Sequence, residues 1–413
     1  MTKSIFMALW GNPLNWELTT YNFNNFSQCA VTSSSIVHRN ICPDAESFIF
    51  IPNSIFPEFY INSDNINKYR DDIMKIINDN LIGKNDTKSV EFINRSNIIL
   101  FPSTGIYNSN GSMFILKTDI NYLYTYFYRK VLDYMEAQEK FDKLVIDMTH
   151  GINFLQFIFL ESVKYSCMVY SLRHRKNIII EYYNSSPYVK GAPISIMLIR
   201  SINISSKNVL ASISRDFLKI YKNKKNEIIT YYKTLGLNVN PIYIKGCALM
   251  VLSVTVPYLS YVLSQINDIK IYNNEITLSI SKNNGITEIL HEFPYYYETY
   301  VENLAFFDAL MALKEFIGYN NGISIKKIYE VLDLYFGSES NKIFVKSELS
   351  KLKSKSNAYQ EFSEDKFSRN FKAHAGLLNN MYEIKDKTII FKTFNHNGNK
   401  INTDWIIKKL IND

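Results

Sequence analysis

Short apolar runs alternate with helix-forming segments in the first half of this sequence, and that alternation restricts the fold more than any other feature. The β-type runs are residues 4–10, 47–51, 97–101 and 144–148, and shorter apolar runs follow at 167–172, 178–182 and 194–199. Helical patterns cover 65–81, about 117–140 and a stretch ending near Lys164, whereas the Ser/Thr-rich residues 32–35 are expected to form a loop. Strands alternating with helices predict a parallel, Rossmann-like α/β sheet.

Such a sheet binds its ligand at the carboxyl ends of its strands. The polar segments there are Gly11-Asn12, residues 103–105 and residues 147–153. In the last of these, Thr149-His150-Gly151 joins a strand to a helix, which predicts an anion site at a helix N-terminus. A capping or structural role for His150 is the alternative. No G-x-G-x-x-G or Walker loop is present, which disfavours dinucleotides and nucleoside triphosphates.

After about residue 200 the pattern becomes mainly helical, which predicts two domains, residues 1–200 and 201–413. Helical segments are expected at 209–232, 247–267 and 295–317. Residues 270–280 contain Asn273-Asn274 between β-type residues and predict a small hairpin. Residues 323–335 resemble half of a winged helix or helix-turn-helix, whose position stays open.

The second half also contains R-N-F-K-A-H, residues 369–374. Arg369 and His374 lie on neighbouring faces of a predicted helix whose first turn carries Glu364 and Asp365. An imidazole moves protons, and a guanidinium stabilises a charged phosphate. The pair suits metal-free RNA cleavage, although a solvated helix face is the alternative.

Charge and cysteine content exclude several classes of protein. Of the net charge of +7, residues 201–413 contribute most, with 27 basic and 21 acidic side chains against 19 and 18 in residues 1–200. That excess suits a polyanionic partner. The four cysteines are scattered without zinc-like spacing, and neither a secretory signal nor a membrane-spanning run is found. We therefore expect a soluble cytoplasmic protein without a membrane partner.

Two sets of motifs resemble one family. W-G-N-P, F-P-S-T-G-I-Y-N-S-N-G and V-I-D-M-T-H-G-I-N-F resemble the CARF domain of the type III CRISPR accessory ribonucleases of the Csx family, and R-N-F-K-A-H-A-G resembles their HEPN motif. The implied fold is a Rossmann-like α/β CARF domain followed by a mainly α-helical HEPN domain, with a helix-turn-helix insertion left open. The implied assembly is a homodimer or a larger oligomer.

The resemblance also implies a function and its residues. Cyclic oligoadenylate, in particular cyclic tetra-adenylate, would activate cleavage of single-stranded RNA with neither metal nor cofactor. The implied catalytic residues are Arg369, Asn370 and His374. The implied ligand-binding residues are Trp10, Gly11, Asn12, Pro13, Ser34, Ser35, Thr104, Gly105, Asp147, Thr149, His150, Gly151 and Asn153.

Three alternatives remain. The chain could be a CARF-type, ligand-responsive transcription regulator that binds duplex DNA, with Arg369 and His374 on a solvated face. It could instead be a Rossmann-type metabolic enzyme with a helical dimerisation domain, which the missing glycine fingerprint disfavours. A CARF domain that also degrades its own activator is the third.

Overall fold

A computed structural model of the 413-residue chain describes residues 3–55, 57, 66–109, 111–138, 140–151, 153–235, 241–266, 276–283, 285–318, 322–354, 367–378, 381–396 and 399–412. These residues form two compact units. Unit 1 contains residues 1–164, 177–204 and 274–297. Unit 2 contains residues 165–176, 205–273 and 298–413.

Unit 1 is built on an eight-stranded sheet in the order β3-β2-β10-β9-β8-β1-β4-β5. The strands are β1 (Ser4–Leu9), β2 (Thr19–Phe23), β3 (Phe26–Ala30), β4 (Glu46–Pro52), β5 (Asn97–Phe101), β8 (Lys143–Asp147), β9 (Ile178–Ser185) and β10 (Ile194–Ile204). Strands β9, β8, β1, β4 and β5 are parallel to one another. The predicted parallel α/β arrangement is therefore confirmed.

Helices connect these strands and cover the sheet. They are α1 (Ser33–Ile41), α2 (Ile66–Gly83), α3 (Thr87–Asn94), α4 (Ile120–Ala137) and α5 (Asn153–His174). Successive residues of β1, from Ile5 to Leu9, are all buried, as expected for a strand covered on both faces. That burial explains why β1 reads as a continuous apolar run rather than an alternating one.

A second, four-stranded sheet of unit 1 combines two hairpins that are distant in sequence. Strands β6 (Gly105–Ser109) and β7 (Ser112–Lys117) form one hairpin, and β11 (Thr277–Asn283) and β12 (Ile286–Glu292) form the other. The two hairpins join through parallel pairing of β12 with β7.

His291 of β12 links this second sheet to the ends of the main-sheet strands. Its Nε2 lies 2.8 Å from the amide nitrogen of Asn53 and accepts its hydrogen bond, and its Nδ1 lies 2.8 Å from the Thr118 hydroxyl. The hydroxyl of Thr118 donates to the Ser103 carbonyl, so its oxygen accepts from Nδ1–H. Burial lowers the pKa of His291 to about 4. The imidazole is therefore neutral at pH 7, as the hydrogen bond that Nε2 accepts from Asn53 requires.

Unit 2 is mainly helical. Its helices are α6 (Ser206–Thr234), α7 (Pro241–Leu252), α8 (Val256–Ser264), α9 (Val301–Ile317), α10 (Ile325–Tyr335), α11 (Glu339–Ser354), α12 (Phe367–Ala373) and α13 (Thr403–Asn412). Strands β13 (Ile323–Ser324), β14 (Tyr382–Lys385) and β15 (Thr388–Phe391) form a small sheet in the order β13-β15-β14. A further hairpin joins β16 (Phe394–His396) to β17 (Asn399–Ile401).

Several local assignments from the sequence are wrong. Residues 33–41 form α1 instead of a loop, because the Thr32 hydroxyl caps the helix by accepting the N–H of Ser34 at 3.1 Å. Residues 167–172 belong to α5 instead of a separate run. All of residues 165–172 are buried, which removes the amphipathic pattern of a helix.

Two further segments also differ. The single helix expected over 247–267 is divided into α7 and α8, with Val254 between them at a left-handed φ of 55°. The predicted turn residues Asn273 and Asn274 lie outside the described residues, and the hairpin that is seen starts later, at β11. Among the residues described, every helix is too short or too polar to traverse a lipid bilayer.

Candidate functional sites

Asp147 organises the first candidate site, at the carboxyl end of β8 in unit 1. Its carboxylate is 1% exposed and accepts hydrogen bonds at both oxygens. The hydroxyls of Ser33 and Ser34 donate to Oδ2 at 2.6 Å each. The backbone N–H and the hydroxyl of Thr149 donate to Oδ1 at 3.1 and 2.7 Å. Four donors compensate for the burial of this charge and hold the first turn of α1 against the tip of β8.

The tip of β1 joins the same network. The indole Nε1 of Trp10 donates to the Ser34 hydroxyl at 3.0 Å, and the N–H of Gly11 donates to the His150 carbonyl at 2.8 Å. The ends of the neighbouring strands β1 and β8 are thus fixed to each other and to α1. The buried Trp10 and Ser34 shape this site from below.

His150 supplies the partly exposed part of this site. The N–H of Ser33 donates to its Nε2 at 3.2 Å, which assigns the ring proton to Nδ1, and the Tyr21 hydroxyl lies 3.0 Å from the same nitrogen. Burial lowers the pKa of His150 to about 4, although the Asp147 carboxylate opposes that shift. A neutral imidazole offers hydrogen bonds and a flat ring rather than a positive charge.

Trp16 forms the other flat surface of this site. Its ring stacks on His150 with a centroid distance of 4.0 Å and an angle of 25°. The preceding turn is capped by Asn12, whose side-chain oxygen accepts the N–H of Leu14 at 3.0 Å. Lys84 donates to the Leu14 carbonyl at 3.2 Å and also to the Trp16 carbonyl. The loop that carries the indole is therefore held at both ends.

The structure brings most of the predicted ligand residues to this one edge of the sheet. Asn12, Thr149, His150 and Gly151 are partly exposed there. Those that are buried, and so shape the site rather than line it, are Trp10, Gly11, Pro13, Ser34, Ser35 and Asp147. Asn153 is the first residue of α5, and its side chain lies outside the description.

Thr104 and Gly105 lie where β6 begins, in the second sheet of unit 1. The Thr104 hydroxyl donates to the Leu116 carbonyl at 3.2 Å, within its own hairpin. The sequence analysis assigned none of Tyr21, Lys84 and Trp16 to the site. Only their contacts reveal Tyr21 and Lys84, because a lone tyrosine or lysine carries no motif.

The second candidate site lies in unit 2, on α12. Arg369 is exposed, Asn370 is buried, and His374 follows the last residue of the helix with its side chain 22% exposed. The backbone N–H of Gly376 donates to the Phe371 carbonyl at 2.7 Å, with Ala375 and Gly376 at positive φ. This helix end fixes the position of His374. Glu361, Glu364 and Asp365 lie outside the described residues.

His374 contacts a carboxylate that the sequence did not reveal. Its Nδ1 lies 2.8 Å from Oε2 of Glu348, a residue of α11 that is 2% exposed. Lys351 donates to Oε1 of the same carboxylate at 2.6 Å. His374 is therefore bound to a buried carboxylate, whereas the alternative interpretation of the motif was a solvated helix face. Within the described parts of the chain, no three His, Cys, Asp or Glu side chains lie close enough to hold a metal ion.

Part of the chain resembles a known protein family. Residues 5–187 match the family model described as the CARF domain of the CRISPR system endoribonuclease Csx1. The match includes all of the Asp147 and His150 network and supports the CARF part of the resemblance. It ends before Arg369 and His374, so it does not test the HEPN part. No curated protein matches the chain.

Proposed function

Because residues 5–187 match the CARF domain of a CRISPR endoribonuclease, we propose that this protein is a ribonuclease activated by cyclic oligoadenylate in type III CRISPR defence. The activator is cyclic tetra-adenylate, the substrate is single-stranded RNA, and neither a metal nor a cofactor takes part. The observation that carries the proposal is the presence, in one chain, of this matched domain and of a histidine paired with a buried glutamate.

The Asp147 network supports the activator. A cyclic tetranucleotide presents flat bases and phosphates, which suit aromatic rings and backbone N–H groups. Trp16 and His150 offer the rings, and Asn12 and Thr149 are partly exposed polar side chains beside them. Since His150 is neutral at pH 7, it would bind by stacking and hydrogen bonding. The two CARF domains of a homodimer together form one binding site for the activator, the shared cradle. One molecule of cyclic tetra-adenylate is therefore bound per two chains.

The second site supplies the chemistry. The 2′-hydroxyl of the RNA attacks the adjacent phosphate, and the P–O bond to the 5′-oxygen breaks. His374 takes the proton from the 2′-hydroxyl and supplies a proton to the leaving 5′-oxygen. Arg369 stabilises the negative charge on the non-bridging oxygens. Asn370 is buried, so its part is to hold the helix in shape beneath these two residues. The products end in a 2′,3′-cyclic phosphate and a 5′-hydroxyl.

RNA cleavage with and without cyclic tetra-adenylate, in excess chelator, tests this function. We expect activator-dependent cleavage that EDTA does not stop, and products with 2′,3′-cyclic phosphate by mass spectrometry. His374→Ala and Arg369→Ala should each reduce the rate about a hundredfold or more. A substrate with 2′-deoxyribose at the cleavage site is the matched control and should remain intact. Free 5′-phosphate products, or activity restored only by magnesium, would refute the mechanism.

Binding of the activator is tested separately by calorimetry. We expect one molecule of cyclic tetra-adenylate per two chains. In the cleavage assay, His150→Ala and Asn12→Ala should weaken activation by cyclic tetra-adenylate more than they weaken basal cleavage. A stoichiometry of one ring per chain, or no binding, would refute the shared cradle.

A second function is favoured by one observation in unit 2. Strand β13 is followed by α10, α11 and α12 and then by the β14–β15 hairpin, and β13 pairs with β15. That order is typical of a winged helix, in which a helix just before the hairpin enters the major groove of DNA. A ligand-responsive DNA-binding regulator would show ligand-dependent binding of duplex DNA and no cleavage of RNA. Gel-shift and cleavage assays on the same preparation distinguish the two functions.

A further inference from the structure

We propose that Glu348 is the residue that positions His374 for proton transfer, and that Lys351 in turn holds the Glu348 carboxylate. This inference rests on the proposed ribonuclease function. The juxtaposition is a chain of three groups: Lys351 Nζ lies 2.6 Å from Glu348 Oε1, and Glu348 Oε2 lies 2.8 Å from His374 Nδ1.

The burial of Glu348 is the first argument. Glu348 sits between residues of α11 that are also buried, with Val345 and Leu349 both at 0% exposure. An ionised carboxylate in such a place is strongly unfavourable unless both oxygens have partners. The two partners present are a cation and the imidazole of the candidate catalytic residue. A glutamate that served only as a polar residue of the helix surface would be exposed to solvent instead.

The same helix supplies the comparison. Glu339 and Lys342 form a pair of the same spacing, at 2.8 Å, but the Glu339 side chain is 77% exposed. In that pair the lysine rather than the glutamate is buried: the Lys342 side chain is 7% exposed and also contacts Asp333 at 3.3 Å. Glu348 differs from Glu339 in its burial and in its second contact, with His374.

The contact determines the tautomer of His374. A carboxylate accepts hydrogen bonds and does not donate them, so Nδ1 carries the proton and Nε2 carries the lone pair. The bond also fixes the orientation of the ring, and it stabilises the imidazolium that forms when Nε2 takes a proton from the 2′-hydroxyl. Glu348 therefore acts through His374 and does not touch the RNA.

Steady-state cleavage by the full-length chain, with cyclic tetra-adenylate bound, tests this role. We expect Glu348→Gln to lower kcat roughly 10- to 100-fold while KM stays within about twofold, the size of effect known for carboxylates that orient metal-bound histidines. Glu339→Gln is the matched control on the same helix and should leave kcat unchanged. In a His374→Ala background, Glu348→Gln should have no further effect.

A second measurement uses the unmodified protein. In protein labelled with ¹⁵N-histidine, the His374 ring at about pH 8 should be the Nδ1–H form. An Nε2–H form would overturn the proposal, as would a folded Glu348→Gln protein with the wild-type kcat. If His374→Ala is inactive and Glu348→Gln is fully active, only the role of Glu348 fails. If His374→Ala cleaves as the wild type does, the ribonuclease function itself fails.

Discussion

The neutral, buried His291 predicts that unit 1 loses stability as the pH falls. Its pKa lies near 4 in the folded chain and near its ordinary value of 6.5 in the unfolded chain. Between these values the unfolded chain binds the proton and the folded chain does not, so acid favours unfolding. The contribution is therefore fully present above about pH 6.5 and is lost as the pH falls towards 4.

The magnitude follows from the difference between the two pKa values. One pKa unit corresponds to about 1.4 kcal/mol, so the free energy of unfolding should fall by about 2 kcal/mol at pH 5 and about 3 kcal/mol at pH 4 from this residue alone. His150, whose pKa is also lowered to about 4, adds a loss in the same direction. The variant His291→Gln isolates the His291 part, because an amide replaces the imidazole and does not titrate.

Urea denaturation of the wild type and of His291→Gln, followed by fluorescence at about pH 8 and about pH 5, measures this effect. At pH 8 the variant should be less stable, because it packs less well against Asn53 and Thr118. At pH 5 that deficit should shrink by about 2 kcal/mol, since only the wild type has lost the contribution of a neutral imidazole. A stability difference that is the same at both pH values would refute the reasoning.

Three further predictions concern single side chains. Asp147→Asn replaces one acceptor oxygen with an amide donor that faces hydroxyl groups. The free energy of unfolding, measured by urea titration, should fall by about 2–4 kcal/mol. A loss below about 0.5 kcal/mol would contradict the role of Asp147. Trp16→Ala should weaken binding of cyclic tetra-adenylate about tenfold or more in calorimetry, because it removes a stacking surface, and an unchanged Kd would contradict it. Gly376→Ala should lower the melting temperature more than the control Gly191→Ala. Both glycines have positive φ, so both substitutions strain the backbone. A Cβ at Gly376 would in addition lie 3.0 Å from the Phe371 ring, whereas a Cβ at Gly191 would meet open space. Equal losses would show that backbone strain alone matters.

The parallel sheet was predictable from the sequence because each of its strands is a local apolar run. The runs at 97–101 and 144–148 differ from β5 and β8 by at most one residue at either end. The second sheet was not predictable in the same way. Pairing of β7 with β12 depends on contacts between residues about 170 positions apart, and no local pattern encodes it.

The candidate sites show the same limit. Residues in contiguous motifs, such as Thr149-His150-Gly151, can be found by reading the chain. Glu348 lies 26 residues before His374 and has no motif of its own, so only the contact identifies it. The loop expected at 32–35 was wrong for a related reason. The hydroxyls of Ser33 and Ser34 bond to Asp147, which is over a hundred residues away, and not to solvent.

The insertion of β11 and β12 into unit 1 has a consequence for synthesis on the ribosome. Thr118 and His291 are 173 residues apart. At translation rates of about 5–20 residues per second, β7 emerges roughly 10–30 s before the strand that pairs with it. During that interval β7 lacks its pairing with β12, and Asn53 and Thr118 lack their hydrogen bonds to His291, so the second sheet remains incomplete. A fragment ending near residue 200 would keep that state permanently, and its exposed strand edge would favour aggregation.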